Sequence, residues 1–284
     1  MLKVVRFTLR EAVRKRLLFA LALLTVLFLA FFFYGVYLQE QAFERRAREA
    51  GLERFPQAEF AWMFVVLMGL YMVNFLGGLV SVFSGVGSLS GELEAGTLHT
   101  VLTKPLSRAE VVLGKWLGMS LLAFAYMTLT GGGLLLGTWL MVGYLPPEPL
   151  PALGLMGLNA VLLLTLTLLG SSFLPTFTNG IGQVVLYGMG WTGGILGFIA
   201  QFTNTPLLER LSKASTWLIP TDALWRFASY YLQSPELLQL SRQGPEGNPF
   251  AGNRAADPLF LLWVGAYIVA ALALAVWIFR KRDL

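Results

Sequence analysis

The side chains that could carry out chemistry in this chain are few. It has no cysteine and a single histidine, His99, which excludes disulfides and thiolate sites and leaves too few ligands for a histidine-based metal site or hydrolase. A phosphate-binding loop is also missing, because Trp116 follows the Gly114-Lys115 pair and Ala109 stands where the loop requires its first glycine. The sequence therefore predicts a chain that is not itself an enzyme and that binds no metal or cofactor.

The segment from Ser84 to Lys115 carries the most informative pattern. Ser90 can cap a short helix, with Glu92 and Glu94 in its first turn. A discontinuous apolar stripe accompanies these residues and consists of Leu89, Leu93, Leu98, Val101 and Leu102. This pattern predicts one or two short helices that lie parallel to a membrane surface.

Breaking and capping residues separate these short helices from the next long apolar run. Gly96 interrupts the helical pattern and Pro105 ends it. Ser107 can cap the next helix, and Glu110 stands three residues later, which is the spacing of a capping box. We therefore expect a sharp turn at this point into a long helix.

Six apolar runs account for most of the chain. Hydrophobic residues make up 56% of the 284 residues and charged residues 13%, against about 25% charged in a soluble domain. Each run is at least as long as the roughly 20 residues that a helix needs to cross a bilayer, and none contains Asp, Glu, Lys or Arg. The runs are 17–38, 60–83, 116–143 (within which the third span lies), 152–174, 181–202 and 259–279. Uninterrupted runs without alternation predict helices rather than a barrel.

The basic residues predict the orientation of these spans. Twelve of the 21 Lys and Arg, but five of the 16 Asp and Glu, flank the runs on the side that holds both termini. Basic residues accumulate on the cytoplasmic side, so both termini are expected in the cytoplasm of a multi-pass protein of the plasma or inner membrane. The net charge of +5 is then mainly a topology signal, and nucleic-acid binding is a remote alternative.

The stretch before the first run is amphipathic. Its apolar residues have helical spacing, with basic residues on the other side, and are Leu2, Val5, Leu9, Ala12, Val13 and Leu17. A basic helix of this kind can lie in the cytoplasmic interface of the membrane. The alternative is a positively charged flank that only sets the topology.

The segment 203–258 is the long connection on the opposite side. Thr205 and Pro206 are typical of a helix start, and Pro220 breaks that helix. Thr221 and Asp222 can cap a second helix. Four aromatic residues suit the lipid headgroup region and are Trp217, Trp225, Tyr230 and Tyr231. We expect these helices to rest on the outer leaflet or to dip into it.

Small and amide residues inside the runs predict helix contacts. Four glycines of the fifth run are spaced for close helix approach, namely Gly190, Gly193, Gly194 and Gly197. They can serve packing within one bundle or a dimer seam, and the sequence does not favour either. Asn74, Asn159 and Gln183 are predicted to form hydrogen bonds between helices rather than to bind substrate.

Residues of the segment between the second and third runs resemble a known family. They read Glu92-x-Glu94-x-Gly96-Thr97-Leu98, then Leu102-x-Lys104-Pro105-Leu106-Ser107-Arg108, then Val112-Leu113-Gly114-Lys115-x-Leu117-Gly118. With six spans, this pattern resembles the permeases of ABC type-2 transporters, and most closely the branch that includes nitrous-oxide-reductase maturation permeases. The resemblance covers the whole chain in topology and 91–118 in motif.

This resemblance implies that this chain forms the membrane permease and that a separate chain hydrolyses ATP. In such families the loop carries a coupling helix that docks on a separate ATPase, and it would use Glu92, Glu94, Gly96, Thr97, Leu98, Leu102, Lys104, Pro105 and Arg108. The family implies a homodimer, or a pair with a similar permease, bound to two ATPase subunits that hold ATP and Mg²⁺. The chain would then be one permease domain, 1–284, that acts in an exporter.

The expected fold is therefore an all-α integral membrane protein. It has six transmembrane helices, an interfacial helix at the N-terminus, a cytoplasmic coupling helix in 84–115 and an extracytoplasmic helical segment in 203–258. Two other functions remain open on the sequence. One is a membrane scaffold or assembly factor without transport, and the other is an ion-coupled secondary carrier, which the absence of charge inside the runs disfavours.

Overall fold

The predicted spans form a helical bundle in a computed structural model that describes residues 2–14, 16–53, 58–94, 107–242 and 250–281. In chain order the helices are α1 Leu2–Arg14, α2 Arg16–Glu49, α3 Ala58–Gly85, α4 Ser90–Glu94, α5 Arg108–Val142, α6 Pro149–Ser171, α7 Thr176–Thr203, α8 Pro206–Leu218, α9 Thr221–Tyr230, α10 Pro235–Arg242 and α11 Pro258–Lys281. Among the described residues, six helices are long and apolar enough to cross a membrane: α2, α3, α5, α6, α7 and α11. This confirms the all-α membrane fold.

The helix α5 begins at Arg108, well before its apolar run, because Ser107 and Glu110 cap it there. The side chain of Ser107 accepts a hydrogen bond from the Glu110 amide at 3.2 Å, and the Glu110 carboxylate accepts one from the Ser107 amide at 2.9 Å. These two bonds form the predicted capping box, which satisfies amide groups that a helix start would otherwise leave unpaired. The earlier start places Lys115 inside the helix.

The helix α6 forms the centre of the bundle. It packs against α3, α5, α7, α9 and α11, and 78% of its most apolar window is buried, against 6% for α2. The apolar window of α2 is even more hydrophobic than that of α6, so composition alone does not say which helix is central. The side chain of Asn159 donates to Asn74 on α3 at 3.2 Å, and that of Gln183 on α7 donates to the Leu166 carbonyl at 3.1 Å. Both bonds confirm the predicted contacts between helices.

The N-terminal helix packs on the bundle as well. Val4 and Thr8 of α1 are buried, and Thr8 lies against Gly118 of α5, where an added Cβ would be 3.2 Å from the Thr8 Cβ. The Thr8 hydroxyl is satisfied by the Val4 carbonyl at 2.9 Å. The amphipathic pattern predicts this helix, but it does not identify the face that contacts α5.

The bundle has two distinguishable ends. One, which we call the α4 end, holds α4, the starts of α5 and α7, and the last turn of α11, whose Arg280 carbonyl accepts a hydrogen bond from Arg108 at 3.0 Å. The other, the α9 end, holds α8, α9 and the last turns of α7. The helix α1 contacts the early part of α5, and it therefore belongs to the α4 end.

The segment at the α9 end differs from its prediction. The helix α8 starts after Thr205 as expected, but Pro220 occupies the cap position of α9 without a capping bond. Thr221 and Asp222 are therefore wrong as caps, and the Asp222 carboxylate instead pairs with Arg226 at 2.7 Å.

The placement of Trp225 in the headgroup region is also wrong. Its side chain is 2% exposed, and its indole donates to the Phe250 carbonyl at 2.6 Å. The reason is that α9 packs against α6 and α3, so its apolar face is covered by protein. Trp217, in contrast, is exposed.

Candidate functional site

The structure describes part of the predicted ATPase-coupling set. Glu94 and Arg108 are described with their side chains, while Glu92 is described only as part of the α4 backbone. The remaining members lie outside the described residues and are Gly96, Thr97, Leu98, Leu102, Lys104 and Pro105. The described members lie at the α4 end, where both take part in contacts with other helices.

The connection into α4 is tied to the turn between α6 and α7. The hydroxyl of Ser171 accepts hydrogen bonds from the amides of Leu89 at 3.0 Å and Ser90 at 3.1 Å. The hydroxyls of Ser90 and Thr176 lie 2.9 Å apart. Ser171 and Ser90 are buried, so these bonds are largely shielded from competing water.

The side chain of Glu94 contacts α7 directly. Its carboxylate accepts a hydrogen bond from the Thr176 amide at 2.9 Å, and Thr176 is the first residue of α7. A carboxylate at this position pairs a free helix amide and also suits the positive end of the helix dipole. The sequence places Glu94 in the first turn of its own helix and gives no sign of a contact with a residue 82 positions away.

Two basic residues, Lys115 and Arg108, donate hydrogen bonds to backbone carbonyls at the α4 end. Lys115 is 4% exposed and donates to the Ser88 carbonyl at 2.5 Å. Arg108 donates to the Arg280 carbonyl in the last turn of α11. The sequence treats both as membrane flanks, but in the structure each holds a backbone segment in place.

A second candidate site is an apolar cavity of about 220 Å³ between α3, α7 and α9, which we call the membrane pocket. Its lining includes Phe75 of α3 and Val184, Tyr187 and Trp191 of α7. The rings of Phe75 and Tyr187 are stacked with their centroids 5.9 Å apart. Because Phe75, Val184 and Trp191 are each about two-fifths exposed, the pocket opens at the outside of the bundle between α3 and α7.

One edge of the membrane pocket is polar. Thr221 is buried, and its hydroxyl has no hydrogen-bond partner among the described residues. Next to it, the carboxylate of Asp222 is balanced by Arg226, whose guanidinium also donates to the Gly194 carbonyl of α7 at 2.9 Å. The edge can therefore form hydrogen bonds, while the ion pair contributes no net charge.

The four glycines of α7 with the predicted spacing lie on the face of that helix that meets α8 and α9. A Cβ added to Gly194 would overlap the Asp222 carboxylate, and one added to Gly193 would overlap Ser215. Gly190 and Gly197 lie in the same way against Thr221 and Ser212. The close approach that these glycines allow is therefore made within the chain.

Sequence reasoning did not identify the membrane pocket. The one signal available was the i,i+4 spacing of Asp222 and Arg226, which is the spacing of an ion pair on one helix face. That spacing is common on solvated helices, and only the packing of α9 against α7 shows that this pair is mostly buried. The aromatic wall gives no distinct signal, because aromatic residues occur throughout the spans.

The comparisons with known proteins agree with this architecture. A family model described as "ABC-2 family transporter protein" matches residues 2–284. The chain is 30% identical over 224 residues to a protein of Pseudomonas aeruginosa named "Probable ABC transporter permease protein NosY", and the match covers 75% of this chain and 78% of that protein. With its six apolar helices, the chain belongs to the ABC-2 family of transporter proteins and is a multi-pass membrane permease subunit of an ABC transporter.

Proposed function

We propose that this chain is the permease of an exporter driven by a separate ATPase subunit, with both termini in the cytoplasm. The observation that carries the proposal is the family match over residues 2–284. The positive-inside distribution of Lys and Arg supports a cytoplasmic α4 end. ATP and Mg²⁺ would then be bound by the ATPase, and two copies of the permease would act with two ATPase subunits in the plasma or inner membrane.

The membrane pocket supports an amphipathic substrate. Its wall is almost wholly apolar, and its polar edge offers the hydroxyl of Thr221 beside the Asp222–Arg226 pair. A lipid-like molecule could bury its apolar part against Phe75 and Val184 and form hydrogen bonds at that edge. A small ion would lose its hydration shell on entering the pocket, and the Asp222–Arg226 pair has no net charge that could compensate this loss.

The deciding experiment is to purify the chain with its ATPase and to measure substrate-stimulated ATP hydrolysis. Leu98→Ala combined with Leu102→Ala should weaken the association, since loss of a buried apolar anchor typically costs about 2 kcal/mol or more. Leu121→Ala combined with Leu129→Ala is the matched control, because these leucines are exposed on α5. If the first pair loses stability in detergent but keeps ATPase binding per folded molecule, the docking role is contradicted.

The pocket is tested by filling it. Val184→Trp should lower transport severalfold while ATPase binding is retained, because the larger side chain would occupy the cavity. Val185→Trp is the control, since Val185 is the next residue of α7, is exposed, and does not line the pocket. Equal transport by both variants would contradict a substrate role for this cavity.

The orientation is tested by cysteine labelling, which has no background because the chain has no native cysteine. Cysteines introduced singly at Ser107 and Asn248 should react from opposite sides of the membrane. Labelling from the same side would contradict the six-span topology and the cytoplasmic placement of the α4 end.

A further inference from the structure

We propose that Glu94 and Ser90 join the start of the coupling segment, residues 84–115, to α7, so that a movement of this segment is passed to the wall of the membrane pocket. This inference rests on the proposed function. Glu94 would therefore act as a positioning residue on the permease itself rather than as a contact with the ATPase. Three observations on α7 support this role.

The first observation is that α7 has no cap of its own. Its N-cap position is occupied by Pro175, which makes no side-chain capping bond. The carboxylate of Glu94 supplies an acceptor from another helix, at 2.9 Å from the Thr176 amide. A helix start that lacks a local acceptor depends on the partner that provides one, and here that partner belongs to the coupling segment.

The second observation is that the chain before α4 is folded tightly over the same turn. Gly87 has a φ of +71°, and a Cβ added there would lie 2.8 Å from the Thr176 side chain. Only glycine adopts this left-handed turn without strain, and only glycine leaves room for Thr176 here. With the Ser90 to Thr176 contact, the segment holds the first residue of α7 by its backbone and by its side chain.

The third observation is that α7 continues without a break from Thr176 to the pocket. Val184, Tyr187 and Gly188 line that pocket and lie eight to twelve residues further along, or about 12–18 Å at the rise of an α-helix. Packed helices move as rigid bodies over such distances. A displacement of Thr176 would therefore tilt the aromatic wall of the pocket.

The opposite end of the same segment is attached elsewhere. Arg108 holds the last turn of α11 through the Arg280 carbonyl, and the described residues that line the membrane pocket include none from α11. The two ends of the coupling segment thus contact different spans, and the Glu94 end is the one that contacts a pocket helix.

The test compares Glu94→Ala with Glu94→Gln. Glutamine keeps an oxygen that can accept the Thr176 amide hydrogen but removes the charge, whereas alanine removes the acceptor. In the purified permease alone, amide hydrogen exchange in the first turn of α7 should rise about fivefold in the alanine variant, the usual effect of losing a helix cap. The glutamine variant should exchange close to the unmodified rate.

The complex with the ATPase then separates positioning from docking. The alanine variant should bind the ATPase normally but move less substrate per ATP hydrolysed, and the glutamine variant should behave nearly as the unmodified chain. Unchanged exchange in the alanine variant would overturn the proposal. Equal loss of ATPase binding in both variants would also overturn it, because charge would then be what matters. If the unmodified chain binds no ATPase, the proposed function fails, although the exchange result would still establish the cap.

A cross-link tests the mechanical link itself. Ser90→Cys combined with Thr176→Cys replaces the close hydroxyl pair by two thiols in a chain that has no other cysteine. The reduced form should transport poorly, and oxidation should restore transport, because the disulfide makes α4 and α7 move together. Oxidation that lowers transport or leaves it unchanged would overturn the proposal. Failure of the thiols to oxidise would contradict the close approach of the two elements.

Discussion

The two ends of α7 are held by contacts of different kinds. At the α9 end, Gly194 lies so close to the Asp222 carboxylate that an added Cβ would overlap it, and the Arg226 guanidinium donates to the Gly194 carbonyl. At the α4 end, Glu94, itself exposed, holds the Thr176 amide through one hydrogen bond. The α9 end is therefore fixed by burial and shape, while the bond from Glu94 at the α4 end is an exposed polar bond that water can replace.

This difference indicates which end can move. Displacing the α9 end would break the charge-assisted hydrogen bond from Arg226 to the Gly194 carbonyl and open the close contacts of Gly193 and Gly194. A hydrogen bond from a charged group is worth about 1.5–3 kcal/mol. Breaking the bond at Glu94 costs about 1 kcal/mol, as for a typical helix cap. We therefore expect α7 to pivot near its α9 end when its α4 end is displaced. Variants at both ends test this difference, in order of their expected effect.

The largest effect is expected from Asp222→Ala. It leaves the Arg226 guanidinium, whose side chain is 18% exposed, without its carboxylate, and loss of one partner of a buried pair costs about 3–5 kcal/mol. The free energy of unfolding in detergent measures this loss. Asp222→Leu combined with Arg226→Met should recover most of it, because the uncompensated charge is gone. A single variant as stable as the unmodified chain would show that burial does not fix this end.

A smaller loss is expected from Gly194→Ala. The added Cβ would overlap the Asp222 carboxylate, and overpacking of this kind costs about 1–3 kcal/mol. Gly182→Ala is the matched control on the same helix, since no described residue comes within 4 Å of a Cβ added there. The control should be neutral or slightly stabilising, because alanine favours a helix more than glycine does. Equal effects would contradict a role for close packing in holding the α9 end.

At the α4 end, Glu94→Ala should lower the free energy of unfolding by only about 1 kcal/mol. The same measurement on Glu94→Gln should show a smaller loss, since the amide oxygen can still accept the bond. A loss in the alanine variant as large as that of Asp222→Ala would remove the contrast between the two ends.

The smallest effect is expected from Glu209→Gln on α8. Glu209 lies 2.5 Å from Lys213 in an exposed pair at the α9 end, and this hydrogen bond lowers the pKa of Glu209. Exposed pairs of this kind often contribute nothing measurable to stability. The melting temperature at neutral pH should therefore not change within error. A clear decrease would show that surface charge, as well as burial, stabilises the α9 end.

Local patterns predicted much of the fold. The six spans follow from apolar runs, because a membrane requires a helix whose backbone groups are paired internally. The capping box of Ser107 and Glu110 and the start of α8 at Pro206 were also predicted. Each of these features depends on residues within a few positions of one another, which a sequence displays directly.

The contacts that build the candidate site were not predicted. The bond from Glu94 to Thr176 and the burial of Trp225 depend on which helices lie next to each other. Inside a membrane, lipid-facing and protein-facing surfaces are equally apolar, so hydrophobicity does not distinguish the exposed α2 from the central α6. Hydrogen bonds between helices were predicted for Asn74, Asn159 and Gln183, because an amide within a span requires a partner, but their actual partners were not predicted.

The sequence by itself thus determined that the chain spans a membrane six times, where several helices begin, and which family it resembles. Only the tertiary structure decided that α6 is central, that α9 packs inside the bundle, and that Gly190, Gly193, Gly194 and Gly197 face α8 and α9. The physical reason is the separation along the chain between the residues that interact. Helix formation and membrane insertion are set by neighbouring residues, whereas pockets and ties between helices arise from side chains that are far apart in the chain and meet only after packing.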